Sequence, residues 1–221
     1  MGADTTRGRI QSIGEVAIVR LEGLNRARET ALAEARQIVR LSANATRAVH
    51  RGEFDVARDL LDQARERHET VVQDLASFPN LYWSGYVQDA QKEYAEARLT
   101  LAVISGGEVP EPAELGVGDA VYLNGLGEAA GELRRHVLDA IRREHLHHAE
   151  DILDVMDEIY GVLVSVDYPD AVTGGLRRTA DMVRGVLERT RGDLTLALQQ
   201  HELTQALSRA ELQHREASPG A

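Results

Sequence analysis

Apolar residues recur every three or four positions along most of the chain, which is the period of helices that bury one face. Strand-length runs of alternating β-branched residues are missing from the sequence. The helical pattern divides into seven stretches, which span residues 5–50, 54–77, 81–105, 118–143, 150–165, 170–191 and 193–215. Because the connections between them are short, the sequence predicts an all-α, single-domain bundle of about seven antiparallel helices.

Glycine and proline mark the ends of these stretches. Gly52 is placed to cap the first helix, and the segment 106–112, with paired glycines and two prolines, is the longest clear loop. Gly174 and Gly175 fall inside the sixth stretch, where they indicate a kink or a close helix crossing. Residues 1–215 are expected to form one helical domain, and residues 216–221, which include SPGA, are expected to form a disordered tail.

Two of the stretches show the apolar face most clearly. In the first it consists of Ile10, Ile13, Ala17, Leu21 and Leu24, and in the third of Trp83, Val87, Ala90, Tyr94, Ala97, Leu101 and Ile104. The aromatic residues Tyr82, Trp83 and Tyr86 could stack on nucleic-acid bases. Since Trp83 belongs to the apolar face, the pattern favours core packing for its side chain.

Composition narrows the classes of function that the chain can serve. Its 221 residues include no cysteine, which excludes disulfides, thiolate metal sites and cysteine nucleophiles. The formal net charge of −11 argues against nucleic-acid binding through overall charge, but it leaves room for a local basic patch. Lys92 is the only lysine. No apolar run reaches the ~18–20 residues of a membrane span, so we expect a soluble, cytoplasmic protein with no membrane partner.

Two glutamate pairs are the sharpest chemical feature of the sequence. Glu93 and Glu96 lie three residues apart in the third stretch, and Glu128 and Glu132 lie four residues apart in the fourth. Each spacing places both carboxylates on one helix face, where they repel each other unless a cation or a proton lies between them. Four carboxylates from two helices are suitable oxygen ligands for Mg²⁺ or Mn²⁺.

Solvent exposure is the alternative explanation, because acidic pairs at this spacing are common in a chain with 36 acidic residues. However, Glu93 lies one turn from Ala90 and Ala97, two small residues of the apolar face. Carboxylates in such a helix–helix seam need a partner, which is either a divalent cation or an arginine such as Arg98 or Arg134.

The fourth stretch also contains three glycines in its interior, at Gly125, Gly127 and Gly131. Each is about 0.8–1 kcal/mol less favourable than alanine within a helix. Glycines there suit a site at which another backbone or a ligand comes close. They therefore favour a buried seam beside the second glutamate pair.

The segments around these residues resemble the translin family, and in particular its translin-associated factor X branch. The resemblance covers residues 36–198 and rests on RLSANATRAVHRGEFDVA, LYWSGYVQDAQKEYAEA, DAVYLNGLGEAAGELRR and LRRTADMVRGVLERTRGDLTLAL. QKEYAEA and the later GEL are its most specific parts. The resemblance implies a seven-helix bundle that assembles into closed, hollow homo-oligomers, typically octamers, and that binds single-stranded RNA and single-stranded DNA.

The same branch resemblance implies a metal-dependent endoribonuclease that uses Mg²⁺ or Mn²⁺. The family's four acidic positions fall on Glu93, Glu96, Glu128 and Glu132, which would serve as catalytic residues and metal ligands. The family often has aspartate where this chain has Glu128, whose carboxylate is one methylene farther from the backbone. The alternatives are a non-catalytic translin-like oligomer that binds single-stranded nucleic acid, and a helical scaffold with no nucleic-acid role.

A row of arginines is the candidate nucleic-acid contact. Arg36, Arg40, Arg47 and Arg51 recur at spacings of four, seven and four near the end of the first stretch, and so share one helix face. Such a row can follow the phosphates of a single strand. The alternative is a solvated face on which the arginines pair with acidic neighbours such as Glu34 and Glu53.

Overall fold

The computed structural model of the chain describes residues 3–217. Within these residues it contains nine helices and no strand, which confirms the predicted all-α class. The helices are α1 (Ala3–His50), α2 (Phe54–Asp74), α3 (Pro79–Tyr82), α4 (Gly85–Ser105), α5 (Pro112–Leu115), α6 (Asp119–Arg142), α7 (Leu146–Ser165), α8 (Asp170–Thr173) and α9 (Leu176–Ala217). The predicted tail overlaps the end of α9 at residues 216 and 217, and residues 218–221 lie outside the described residues.

Six long helices build the bundle, and α3, α5 and α8 are single turns of four residues each. The C-terminal half of α1 packs against α2 and α4, α4 packs against α6, and α6 packs against α7 and α9. Buried side chains from these helices form one continuous core. Among those that are fully enclosed are Ile38, Leu61, Tyr94, Leu133, Met156 and Leu194. The apolar periodicity thus identified the helices that meet in the core.

The C-terminal part of the chain differs from the predicted division into two helices. The predicted break between residues 191 and 193 is wrong, because α9 continues through Gly192. The real break lies at Gly174 and Gly175, whose φ angles are 62° and 87°. A left-handed conformation ends a helix, and glycine adopts it easily. A single glycine inside a helix, such as Gly192, is only about 1 kcal/mol less favourable than alanine, so the helix can continue through it.

Other helix ends differ by a few residues. α2 ends at Asp74, before the predicted end at 77. α7 begins at Leu146, before the predicted start at 150. It begins earlier because Leu146 and the fully buried Ala149 extend the row of apolar residues that faces the core.

The start of α4 corrects the prediction for Trp83. α3 and α4 are separate helices, and the chain turns at residues 83 and 84 before α4 begins at Gly85. Trp83 therefore does not continue the apolar face of α4, and it is 68% exposed. Its ring meets the Tyr82 ring edge-on, with centroids 5.0 Å apart and planes at 88°.

Close helix contacts occur at two of the three glycines of α6. A Cβ atom at Gly125 would lie 3.0 Å from the Lys92 carbonyl oxygen and 3.2 Å from the Glu96 backbone nitrogen. A Cβ atom at Gly127 would lie 2.3 Å from Cγ2 of Thr179 on α9. Gly131 has open space around it. The missing side chain at Gly125 thus allows α6 to approach α4 at the level of the glutamates.

The N-terminal half of α1 has the predicted helical structure but not the predicted buried face. Ile10, Ile13 and Leu21 are 65%, 57% and 61% exposed, and buried positions begin only at Ala31. This half extends beyond the helices that cover the rest of α1. No helix among residues 3–217 is long and apolar enough to cross a membrane.

Candidate metal centre

Three of the four predicted glutamates come together where α4 crosses α6. Glu93 and Glu96 from α4 and Glu128 from α6 each offer a carboxylate oxygen, and these oxygens all lie within 4.8 Å of one another. All three side chains are partly buried. The spacing on α4 sets the first pair on one face, and the close approach at Gly125 brings Glu128 opposite it.

Glu132 lies next to this group but is held by another partner. Nε2 of His50, at the end of α1, lies 2.5 Å from Oε2 of Glu132. The His50 side chain is only 3% exposed, and its Nδ1 is buried without a hydrogen-bond partner in the described part of the chain. The contact with His50 lowers the pKa of Glu132. The role of Glu132 as a metal ligand stays a prediction.

Lys92 is the cation closest to the group. Its Nζ donates a hydrogen bond to Oε1 of Glu128 at 2.7 Å. Burial alone would lower the pKa of Lys92, but its hydrogen bond to Glu128 and the surrounding carboxylates raise it. One positive charge therefore offsets part of the negative charge at the crossing.

The electrostatics of the crossing leave negative charge uncompensated. Burial, followed by repulsion from Glu93, Glu128 and Glu132, raises the pKa of Glu96 to about 8. Burial and repulsion from Glu128 also raise the pKa of Glu93, against the opposing charge of Lys92. At neutral pH the Glu96 carboxyl therefore retains a proton unless a cation takes the proton's place.

Neither Arg98 nor Arg134 supplies that cation. Arg98 contacts the Tyr94 hydroxyl and Asp62, and Arg134 contacts Thr190 and Asp193. The two arginines considered as partners for the glutamates are thus engaged elsewhere. The donor set, which consists of carboxylate oxygens only, fits a hard cation such as Mg²⁺ or Mn²⁺.

The four predicted RNA-contacting arginines are all exposed along α1 and the turn after it. Arg47 contacts Asn44 and Arg51 forms an ion pair with Glu53, whereas Arg36 and Arg40 have no ion-pair partner among the described residues. Arg47 and Arg51 flank His50 in the sequence, so the row ends beside Glu132. Whether it contacts RNA stays a prediction.

The sequence pattern did not predict two residues that contact the glutamates. These are His50, which contacts Glu132, and Lys92, which contacts Glu128. Both contacts join residues far apart in the chain, 82 positions for His50 and Glu132 and 36 for Lys92 and Glu128. The available signal was the position of Lys92 directly before Glu93.

The fold and the centre together define an all-α protein with a carboxylate cluster at a helix crossing. A scan against protein-family models finds no match. The chain is 32% identical over 187 residues to an uncharacterized protein of Methanocaldococcus jannaschii, covering 84% of this chain and 82% of that protein.

Solved structures share the architecture. The structure of an AfC3PO–duplex RNA complex is similar at 35% identity with a TM-score of 0.77, covering 83% of this chain and 95% of that chain. The crystal structure of AfC3PO is similar at 34% identity with a TM-score of 0.76, over the same shares of the two chains. Apo-NeC3PO, at 20% identity with a TM-score of 0.75 over 83% of this chain and 96% of its own, shares the fold. The chain belongs to the translin family, in the branch that resembles translin-associated factor X.

Proposed function

We propose that this protein binds single-stranded RNA and cleaves it as a divalent-metal-dependent endoribonuclease. The observation that carries the proposal is the cluster of Glu93, Glu96 and Glu128, whose carboxylate oxygens gather within 4.8 Å. The similarity to AfC3PO, whose structure was solved with duplex RNA, supports RNA as the nucleic acid. Single-stranded DNA as a second ligand and a closed homo-oligomer, with the octamer as its size, are part of the proposal and rest on the family resemblance.

Each residue of the centre has a distinct task in this proposal. Glu93, Glu96 and Glu128 hold Mg²⁺ or Mn²⁺, and Glu132 completes the ligand set. When bound, the ion stabilises negative charge at a phosphate and makes water a stronger nucleophile. His50 fixes the position of Glu132 through the 2.5 Å contact. A hydrogen-bonded partner behind a ligand commonly accounts for 10–100-fold in metal affinity or activity, as a rough guide.

Cleavage of a short single-stranded RNA with Mn²⁺ or Mg²⁺, with EDTA as the control, tests the reaction. We expect the parent to cut only when the metal is present. Glu93→Ala, Glu96→Gln and Glu132→Ala should each reduce cleavage by about 100-fold or more, since loss of a ligand should exceed the loss of a partner behind it. Binding to RNA and assembly should persist in these variants.

Glu158→Gln is the matched control, because Glu158 is an exposed acid of α7 outside the centre. It should cut at the parent rate. Cleavage at the parent rate by the Glu93, Glu96 and Glu132 variants would show that the centre is not the active site. The duplex form of the same RNA, assayed in parallel, defines which form is the substrate.

The ion pair between Lys92 and Glu128 favours a second candidate, a non-catalytic single-strand-binding oligomer. In that case the lysine ammonium, 2.7 Å from Glu128, replaces a metal ion permanently. Calorimetric titration with Mn²⁺ separates the two functions. Stoichiometric binding that Glu96→Gln removes supports the nuclease, and RNA binding without any Mn²⁺ binding supports the second candidate.

A further inference from the structure

A groove leads away from the metal centre on the side of Lys92 and Glu128. It has a volume of about 520 Å³ and lies between the start of α4, the first half of α6 and the junction of α8 with α9. Its lining includes Trp83, Lys92, Asn124, Glu128, Gly175 and Arg178. Because Glu128 belongs to both, and Lys92 in the lining donates a hydrogen bond to it, the groove and the carboxylate cluster are continuous.

Buried hydrogen bonds fix the floor of the groove. The Thr179 hydroxyl donates to Oδ1 of Asn124 at 2.6 Å. The Asn124 amide nitrogen in turn donates to the carbonyl oxygen of Thr173 at 2.8 Å. These bonds tie α6 to both sides of the glycine break, so the start of α9 is held against α6. The groove is therefore a built feature of the bundle.

Trp83 provides an aromatic surface at one wall. It is the only tryptophan of the chain and is 68% exposed. The edge-on contact with Tyr82 supports the ring from one side. An exposed aromatic ring beside a nucleic-acid site can stack on a base without regard to sequence.

Arg178 provides a cation in the part of the lining that α9 contributes. Its side chain is exposed and has no ion-pair partner among residues 3–217, although the chain carries a net charge of −11. The first turn of α9, which contains Arg178, also directs the positive end of a long helix into the groove. A phosphate group is the ligand that suits both features.

We propose that this groove receives one strand of the RNA, with a base stacked on Trp83 and a phosphate at Arg178, so that the next part of the strand reaches the carboxylate cluster. The inference rests on the proposed function. It differs from the arginine row of α1, since the groove adjoins Glu128, whereas that row ends beside His50, which contacts Glu132.

The fluorescence of the single tryptophan tests this directly. With EDTA present to prevent cleavage, a short single-stranded RNA should change Trp83 emission in a saturable way, in step with the anisotropy of the same RNA carrying a label. Trp83→Ala should weaken RNA binding by about 5–150-fold, the equivalent of one stacked base. Tyr168→Ala is the matched control, because Tyr168 is also 68% exposed but lines a different cavity, and it should bind RNA like the parent.

A second pair of variants tests the phosphate contact. Arg178→Gln should weaken binding and lower the slope of log affinity against log salt by about 0.7, the contribution of one phosphate on a single strand. Arg177→Gln, an exposed neighbour outside the groove, should leave both unchanged. The groove proposal would be overturned if the parent binds and cuts RNA while Trp83 emission does not change and Trp83→Ala and Arg178→Gln bind RNA with the parent affinity. That result would leave the nuclease proposal standing. Failure of the parent to bind RNA at any salt concentration would overturn both.

Discussion

The α4–α6 crossing and the N-terminal half of α1 have the same helical periodicity but different surroundings. At the crossing, Tyr94 and Ala97 are buried and the neighbouring glutamates are drawn into the seam. In the first half of α1, Ile10 and Ile13 stay exposed although they repeat with the same spacing. Periodicity therefore reports that a helix has an apolar face, and the partner helix decides whether that face is covered.

The same difference distinguishes the exposed acidic residues of the molecule from those at the helix crossing. Acidic residues on uncovered faces, such as Asp55, keep one nearby arginine and remain in solvent. Glu96 lies in a covered seam, where burial and three other carboxylates raise its pKa to about 8. The raised pKa of Glu96 therefore depends on the second helix packed against α4, which at this crossing is α6.

The largest effect should come from a core residue in the covered half of α1. Ile38 is 1% exposed, and Ile38→Ala removes buried methyl groups and leaves a cavity. We expect a loss of about 2–5 kcal/mol in the free energy of unfolding. Thermal unfolding followed by circular dichroism measures it, at about 2–4 °C per kcal/mol for a chain of this size. A loss below about 1 kcal/mol would mean that α1 is not held at this point.

A smaller but more local effect is expected at the crossing itself. Gly125→Val places a side chain where a Cβ atom alone would lie 3.0 Å from the Lys92 carbonyl oxygen. The added side chain should push α4 and α6 apart and lower the free energy of unfolding by about 1–3 kcal/mol. It should also weaken Mn²⁺ binding, because the carboxylates move apart. Gly131→Ala is the control, since open space surrounds it and helix propensity favours alanine by up to about 1 kcal/mol. Unchanged Mn²⁺ affinity in Gly125→Val would show that metal binding does not depend on the close approach of α4 and α6.

The sequence predicted the helices and the proximity of Glu93, Glu96 and Glu128 because both depend largely on local spacing. The Glu93 and Glu96 pair shares a face in any α-helix, and the glycine at 125 already indicated a close approach. Other features depend on contacts between distant segments. The salt bridge from Lys92 to Glu128 and the hydrogen bond from His50 to Glu132 arise only when α4, α6 and the end of α1 have packed.

Local ambiguity explains the remaining errors. Glycine occurs at both Gly174 and Gly192, and only the first adopts the left-handed conformation that ends a helix. Trp83 continues the spacing of the α4 face in the sequence, but the turn before Gly85 removes it from that face. Neither outcome can be read from residue type and spacing, because tertiary packing decides which conformation is adopted.

The pH dependence of stability gives a third prediction. In the folded chain the pKa of Glu96 is about 8, against an ordinary value of 4.5, so the folded state binds this proton more tightly than the unfolded state. The contribution of Glu96 is therefore most favourable below pH 4.5 and becomes less favourable as the pH rises to about 8. Glu96→Gln removes the ionisation, so its stability relative to the parent should rise across this range.

Unfolding by urea at several pH values, without metal, measures that difference. Glu158→Gln, which changes an exposed acid outside the crossing, is the control variant for this comparison. Mn²⁺ should reverse the order at pH 8, because the ion stabilises the parent and has lost a ligand in Glu96→Gln. A constant difference between Glu96→Gln and the parent from pH 4.5 to 8 would contradict the raised pKa of Glu96.

The smallest effect should come from the uncovered half of α1. Ile10→Gln combined with Ile13→Gln changes two side chains that are 65% and 57% exposed, so little apolar contact is lost within the chain. We expect the free energy of unfolding to change by no more than about 0.5 kcal/mol, measured as for Ile38→Ala. Light scattering on the same samples reports the mass of the assembly. A loss above 1 kcal/mol together with a lower mass would show that another copy of the chain covers this face, and the contrast with the crossing would then hold only for the isolated chain.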